Sequence, residues 1–171
     1  MDISIIIVSY KVKEFLQQAI TSIQKAGANF DYEIIVVDNA STDGSQDLIR
    51  SSFAEVLLIA NQINKGFAAA NNQALKQARG EFILLINPDT IVQEDTFSVI
   101  LDFFNQHSEC GMVGCKILNP DGTLQLACRR SFPTPWIAFT KIVGLSNVFP
   151  NSKLFGKYNL TFLNPDETYE V

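Results

Sequence analysis

Histidine and cysteine are scarce in this chain, which has one histidine and three cysteines in 171 residues. Cys110, Cys115 and Cys128 are odd in number and have no Cys-x-x-Cys spacing, so neither a disulfide framework nor a zinc site is expected. We interpret them as reduced and mostly buried thiols. His107 has polar neighbours at a predicted helix end and is interpreted as a surface residue, which leaves no basis for a histidine-based triad or zinc site.

Basic charge is also low, because 13 lysines and arginines against 18 acidic residues give a net charge of −5 and a pI near 4.8. A broad nucleic-acid-binding face needs an excess of basic residues, so no nucleic-acid partner is expected. The run Ile5 to Val8 is far too short to span a bilayer, and the amino terminus lacks the features of a secretory signal. We expect a cytoplasmic protein, with a peripheral contact at the inner face of the plasma membrane left open.

Two common nucleotide-binding motifs are missing. No GxGxxG follows the first apolar run and no Walker lysine is present, which disfavours dinucleotide redox chemistry and P-loop chemistry. A single anionic ligand stays compatible with the acidic composition if backbone N–H groups, a metal ion or a few local basic residues hold it.

Four short apolar runs alternate with segments of helical period, a pattern typical of βαβ units around a parallel sheet. The runs are Ile5 to Val8, Ile34 to Val37, Val56 to Ile59 and Phe82 to Ile86. They predict an α/β fold with a mostly parallel sheet flanked by helices. We expect the fourth run to be buried on both faces, and Gly80 before it to be the left-handed stop of the preceding helix.

The chain changes character beyond residue 110. Met112 to Ile117 and Leu124 to Cys128 flank a turn at 119–122, which predicts a hairpin and a mixed sheet near the carboxyl end. Large apolar residues between 132 and 155 have no obvious partner within the chain. They favour packing against a missing carboxyl-terminal part, and leave open a membrane contact or a homodimer.

Polar residues follow each of the four predicted strands. They are Ser9 and Tyr10, Asp38 and Asn39, residues 61–64, and Asn87 with Asp89. Because the carboxyl ends of parallel strands are the usual ligand positions of open α/β sheets, we expect these residues to share one binding edge. Taken alone, Asp38 is equally well explained as a turn or cap carboxylate.

The segment Asn64-Lys65-Gly66 opens a helix of small residues that also contains Asn71. A ligand can approach such a backbone closely, and the helix N-terminus favours phosphate. The alternative is structural: Gly66 relaxes a turn, the alanines pack on the sheet and Lys65 is solvated.

Asp89 belongs to one of three Asn-Pro-Asp tripeptides, and only this copy directly follows an apolar run. A hard cation such as Mg²⁺ or Mn²⁺ prefers a few carboxylates together with diphosphate oxygens, so Asp89 is the candidate metal ligand. The alternative is a cap on the following helix.

Four blocks in this order resemble family two glycosyltransferases, especially the bacterial rhamnosyltransferase-like branch. The blocks are Val8-Ser9-Tyr10, residues 36–44 around Asp38, residues 64–72 from Asn64-Lys65-Gly66-Phe67 to Asn71-Asn72, and Leu85 to Thr90; the basic segment Arg129 to Thr134 is also similar. The resemblance runs from residue 3 to about residue 135. It implies the GT-A fold, a nucleotide-diphosphate sugar donor and inverting transfer to an acceptor hydroxyl.

The resemblance also implies roles for individual residues. Ser9 and Tyr10 would lie by the base, Asp38 would contact base or ribose, and Asn64 and Gly66 would line the nucleotide. Asp89 would be the last acid of the DXD metal motif, whose first acid is replaced by Asn87 in this chain. The donor would be a UDP- or dTDP-sugar and the acceptor a saccharide or lipid-linked molecule, in polysaccharide or cell-envelope biosynthesis.

The catalytic base is not identified. Relatives supply it from an acidic motif further downstream, so we expect residues 1–131 to bind the donor and residues 132–171 to be a truncated acceptor-side segment. Neither Glu167 nor Glu170 is assigned to that role. Two alternatives stay open: a non-catalytic nucleotide-sugar binding module and a sugar nucleotidyltransferase, although the latter would be expected to carry a glycine-rich loop after the first strand.

Overall fold

The computed structural model describes residues 1–169, and within it the chain forms two compact units. The first unit runs from Met1 to His107 and the second begins at Ser108. The functional boundary expected at residue 131 stays a prediction.

The first unit alternates strands and helices as the apolar runs predict. Its elements are β1 Ile3–Ser9, α1 Lys13–Ala26, β2 Tyr32–Asp38, α2 Ser45–Ser52, β3 Leu57–Ala60, α3 Phe67–Leu75, β4 Phe82–Ile86 and α4 Thr96–Gln106. The second unit is mainly irregular, with helices α5 Pro135–Ile142 and α6 Leu145–Val148 and 3₁₀ turns at Leu126–Cys128 and Gly156–Tyr158.

The four strands form one parallel sheet in the order β3-β2-β1-β4. The register places Ser9 beside Asp38, and Asp38 beside Ala60, so β1, β2 and β3 end together. The chain moves outward from β1 to β3 and then crosses to the other side of β1 to form β4. This change of direction makes the boundary between β1 and β4 a topological switch point, and open α/β sheets bind ligands at the carboxyl ends of the strands beside such a point.

One face of the sheet packs against α1, α2 and α4. The α1 stripe of Leu16, Ile20 and Ile23 is fully buried there, as expected for apolar residues at helical spacing. Phe97 of α4 is also fully buried, which contributes roughly 1.5–3 kcal/mol of burial free energy. Together these helices hold the first unit's main core.

The opposite face is covered by α3 only over its central strands. Ala70 and Ala74 pack on Ile6, Ile35 and Val37. At the sheet edge, however, Ile83 and Leu85 of β4 are 42% and 52% exposed. The expectation that β4 is buried on both faces was therefore wrong, because β4 is an edge strand beyond the reach of α3.

A polar cluster holds the amino end of β4 against β1. The Ser4 hydroxyl donates to Glu33 Oε1 at 2.7 Å and accepts from the Gly80 N–H at 2.8 Å. Arg79 Nη2 pairs with Glu33 Oε2 at 2.8 Å. Burial raises the pKa of the Glu33 carboxyl, but hydrogen bonds from Ser4 and Arg79 outweigh burial, and the net pKa is lowered.

Gly80 does not serve as a left-handed helix stop. The helix α3 ends at Leu75, and its C-cap Lys76 is right-handed. A side chain on Gly80 would lie closer than 3.0 Å to the backbone of Ile3 and Ser4. Glycine is needed here because the loop passes tightly against β1.

The predicted hairpin is present only as a turn. Asn119 N–H donates to Thr123 O at 2.8 Å, and one antiparallel bridge joins Leu118 to Leu124. No strand flanks the turn within residues 1–169, so the sheet is not mixed there. Exposure explains the difference, because Met112 is 87% exposed and no buried face holds an extended segment in place.

Two further expectations concern the surface. The cysteines are free but not buried: Cys115 is exposed, and Cys110 and Cys128 are half-buried. In the part of the chain that the structure describes, no helix combines the length and the apolar character needed to cross a membrane.

Candidate functional site

Two buried oxygens without hydrogen-bond partners mark the carboxyl edge of the sheet. Ser9 at the end of β1 and Asp38 at the end of β2 are register partners, and both are fully buried. Among residues 1–169, no group hydrogen-bonds to Ser9 Oγ or Asp38 Oδ2. Each buried polar atom without a partner lowers the stability of the fold by about 1–3 kcal/mol. Two such atoms at neighbouring strand ends call for an explanation, and a ligand that supplies the missing hydrogen bonds is one.

The other carboxylate oxygen of Asp38 organises the loop after β2. Asp38 Oδ1 accepts from the Ser41 N–H at 2.9 Å and from Gln46 Nε2 at 2.7 Å. Oδ1 thus has the turn role that was one of the two interpretations of Asp38. Oδ2 can still accept a hydrogen bond from another group.

Asn39 joins this loop to the segment after β3. Its Oδ1 accepts from Asn61 Nδ2 at 3.0 Å and from the Lys65 N–H at 3.4 Å, and its Nδ2 donates to Gly66 O at 3.4 Å. Asn39 is 2% exposed. It therefore lies beneath the surface, where its hydrogen bonds hold the 64–66 loop in position.

The 64–66 loop presents its backbone at the start of α3. Gly66 has φ 78° and ψ 169°, a conformation essentially restricted to glycine, and a side chain there would meet nothing within 4 Å. Asn64 Oδ1 accepts from the Gly66 N–H at 2.9 Å. No side chain caps α3, so its first N–H groups stay open to an anionic ligand. Lys65 is exposed beside them.

Asn71 lies on α3 and is 7% exposed. Its amide nitrogen donates to Phe67 O one turn earlier, at 3.0 Å. Asn71 therefore braces the first turn of the helix behind the loop.

The loop after β1 is tied to the loop after β2. The Lys11 N–H donates to Ser41 Oγ at 2.8 Å, and the Lys13 N–H donates to Asp43 Oδ2 at 3.0 Å. Lys11 itself has a positive φ of 55°, an uncommon conformation for a residue with a side chain. Tyr10 is 45% exposed at the same edge, with Lys11 Nζ 5.2 Å from its ring centroid.

Asn87 and Asp89 follow β4, on the other side of β1 from Asp38, and both are exposed. Asp89 does not cap a helix, because α4 begins at Thr96 with Asp95 as its N-cap. No described residue forms a hydrogen bond or ion pair with the Asp89 side chain, and no group of three metal-ligating side chains occurs within residues 1–169. A cation would therefore need oxygens from a ligand as well as Asp89, as Mg²⁺ accepts when it binds phosphates.

The parallel sheet thus brings the predicted site residues to one edge. Ser9, Asp38 and Asn39 form its buried floor, whereas Tyr10, the 64–66 loop, Asn87 and Asp89 stand exposed around it. Asn71 is the exception, since it supports the edge from within α3.

Two supporting residues, Gln46 and Gln73, were missed by sequence reasoning. Gln73 forms a reciprocal amide pair with Asn61, with N–O distances of 2.8 and 3.0 Å, that holds Asn61 against Asn39. Asn61 itself belongs to residues 61–64, which were expected at this edge. Nothing in the sequence distinguished Gln46 or Gln73 from ordinary helix-surface residues.

A family model described as "Glycosyl transferase family 2" matches residues 4–155. The chain belongs to glycosyltransferase family 2. This membership agrees with the resemblance carried by the four sequence blocks.

The chain is also similar to individual bacterial proteins. The chain is 32% identical over 126 residues to the minor teichoic acid biosynthesis protein GgaB of Bacillus subtilis, covering 71% of the chain and 14% of GgaB. It is 25% identical over 148 residues to the poly(ribitol-phosphate) beta-N-acetylglucosaminyltransferase TarS of Staphylococcus aureus, covering 84% of the chain and 26% of TarS. The chain thus spans about a quarter or less of the length of these two relatives.

Solved structures confirm the GT-A fold. TarS 1-349 superposes with a TM-score of 0.63 at 24% identity, covering 80% of this chain and 40% of that one, and its complex with UDP-GlcNAc gives 0.59. A mannosyltransferase from Pyrobaculum calidifontis, solved with GDP-Man and Mn²⁺, gives 0.58 at 22% identity and covers 70% of this chain and 36% of that one.

Proposed function

We propose that the carboxyl edge of the sheet binds the nucleoside diphosphate of a sugar donor, as the donor-binding part of an inverting glycosyltransferase. The buried, unpaired oxygens of Ser9 and Asp38 are the observation that carries this proposal. A ligand with N–H or O–H donors, such as a pyrimidine base or a ribose, would satisfy Asp38 Oδ2. The Ser9 hydroxyl would donate to a ligand oxygen or accept from a ligand donor.

The diphosphate would lie toward the start of α3. The open N–H groups of this helix and the Lys65 side chain would offset its negative charge. Gly66 keeps this approach free of side-chain atoms, since the space beside its α-carbon is open to 4 Å. Tyr10 would cover the base from the β1 side.

A divalent cation, Mg²⁺ or Mn²⁺, would be held by Asp89 and by diphosphate oxygens, with Asn87 beside it. When bound, such a cation offsets the charge that grows on the leaving diphosphate. The exposed Asp89 carboxylate, which no described side chain neutralises, fits this role.

Transfer also requires a carboxylate that deprotonates the acceptor hydroxyl. Glu167 is poorly suited, because its Oε1 accepts from Asn164 at 2.8 Å and its Oε2 accepts from Tyr169 at 2.7 Å. The hydrogen bond from Tyr169 and the one from Asn164 lower the pKa of Glu167, which weakens it as a base. Glu170 lies outside the described residues.

The acceptor would be a saccharide or lipid-linked molecule of polysaccharide or cell-envelope assembly. GgaB and TarS, whose names refer to teichoic acid and poly(ribitol-phosphate), support this class. A non-catalytic nucleotide-sugar binding module is the second candidate, favoured by the lack of an assignable base among residues 1–169.

Isothermal titration of the chain with UDP, dTDP and GDP, each with and without Mn²⁺, tests the donor proposal. We expect at least one nucleotide to bind, and to bind more tightly with Mn²⁺. No binding of any nucleotide under either condition would contradict it. Sugar transfer by this chain, or only by a longer chain, then separates the enzyme from the binding module.

A further inference from the structure

The second unit contains a basic stretch in an otherwise acidic chain. Residues 122–165 include no aspartate or glutamate, although the whole chain has 18 of them. The same stretch carries five basic residues: Arg129, Arg130, Lys141, Lys153 and Lys157. Positive charge is therefore concentrated locally, where it attracts anions despite the net charge of −5.

A cavity of about 380 Å³ lies within this stretch. Its polar lining comes from Arg130, Ser131 and Lys157. The remaining wall is apolar and consists of Phe132, Ile137, Leu160 and Phe162. Two cationic residues thus line a space much larger than a water molecule, beside a hydrophobic surface.

The polar groups around the cavity lack protein partners. No residue between 1 and 169 forms an ion pair with Arg130 or Lys157. The buried Ser131 Oγ and the buried Nε of the preceding residue, Arg129, also have no hydrogen-bond partner in that part of the chain. Buried donors without partners cost about 1–3 kcal/mol each, so a bound acceptor would stabilise them.

Cations also converge on one tyrosine at this place. The Arg130 guanidinium carbon lies 5.6 Å from the centroid of Tyr158, and Lys141 Nζ lies 5.4 Å from the same centroid. The ring fixes both groups near the cavity, since cations are attracted to aromatic faces. Their mutual repulsion is relieved when an anion binds between or beside them.

The cavity wall includes an unusual backbone conformation. Leu160 is buried and has a positive φ of 50°, which is costly for a residue with a branched side chain. Such strain is frequent at binding sites.

We propose that this cavity binds a phosphate group through Arg130 and Lys157, with Ser131 in its wall. Arginine matches two phosphate oxygens at once, and lysine adds a point charge. The apolar wall would contact the organic group attached to the phosphate. This phosphate site does not depend on the donor site proposed above.

NMR titration of ¹⁵N-labelled chain with inorganic phosphate and with dimethyl phosphate tests the site. We expect amide shifts in residues 129–132 and 157–162. R130Q and K157Q should each weaken binding at least about tenfold, as expected for loss of a charged hydrogen bond. The matched control is K153Q, which removes a cation of the same stretch that does not line the cavity, and it should bind like the unmodified chain.

Two outcomes would overturn the proposal: shifts confined to the 64–66 loop, or equal weakening in K153Q. Sedimentation with phosphatidylglycerol vesicles distinguishes a lipid headgroup from a soluble phosphodiester. Binding of the soluble phosphodiester or of the vesicles supports the site if R130Q and K157Q weaken that binding. If both variants bind both probes as well as the unmodified chain does, the proposal is refuted. The donor proposal is tested by calorimetry with nucleotides, and the phosphate site by NMR with simple phosphates and the R130Q and K157Q variants, so the failure of one proposal is distinguishable from the failure of the other.

Discussion

Ser9 and Asp38 are register partners at the ends of adjacent strands, and each keeps one buried side-chain oxygen without a partner in residues 1–169. The sheet places these residues side by side because β1 and β2 are parallel and end together. The arrangement lowers the stability of the fold, since both oxygens lost their water when the chain folded.

The first prediction concerns Asp38. D38N keeps an oxygen for the Ser41 N–H and Gln46 but replaces the unpaired acceptor by an amide. We expect nucleotide affinity, measured by calorimetry, to fall about ten- to hundredfold, as for loss of a charged hydrogen bond. The melting temperature should stay the same or rise, because an unpaired buried charge is removed. D47N, on the exposed side of α2, is the matched control; equal affinity of D38N and D47N would leave Asp38 a turn residue only.

The second prediction concerns Asp89. D89A should abolish the gain in nucleotide affinity that Mn²⁺ gives, and leave metal-free binding and the circular dichroism spectrum unchanged. The reason is that no hydrogen bond or ion pair within residues 1–169 depends on this carboxylate. D102A on α4 controls for loss of an exposed acid. Metal enhancement that survives in D89A would refute the assignment.

The third prediction concerns Gly66. G66A should destabilise the 64–66 loop by about 1–3 kcal/mol, because φ 78° with ψ 169° is open essentially to glycine alone. Nucleotide affinity should fall with it. The control G114A adds a methyl group at a glycine that also has open space around it but has no positive φ. If chemical denaturation gave the same stability for both variants, the backbone of Gly66 would not be under constraint.

The fourth prediction concerns pH. The pKa of Glu33 is lowered in the folded chain, so its contribution to stability is present above the unfolded value, near 4.5, and is lost as pH falls through the folded value. E33Q should therefore lower the unfolding free energy near neutral pH by about 1.5–3 kcal/mol. Denaturant titrations at several pH values should show this difference shrink below about pH 4.5. E81Q, an exposed acid before β4, should show neither effect.

Sequence patterns predicted the order of strands and helices well, because short apolar runs of four or five residues between helical segments favour strands. All four runs lie within observed strands, except that Val56 precedes β3 by one residue. They also located most of the candidate site, since the end of a parallel strand fixes where the next residue lies.

Features that depend on tertiary contacts were not predictable. The exposure of Ile83 and Leu85 depends on how far α3 extends across the sheet, and no local pattern encodes that distance. The helix residues Gln46 and Gln73 act through partners outside their own helices, Asp38 and Asn61, and helical periodicity does not reveal such pairs. The turn at 119–122 was predictable from Asn-Pro-Asp-Gly, whereas its flanking strands required a packing surface that the sequence did not reveal.

The tight passage of Gly80 against Ser4 lies at the end of the sheet opposite to the candidate site. The strand between them, β4, is five residues long, about 17 Å, and pairs with β1 along its length. We expect a larger residue at position 80 to displace the start of β4 from β1, and so to disturb the loop after β4 that carries Asn87 and Asp89. A mutational screen for lost donor binding is therefore expected to identify a glycine that no ligand ever touches.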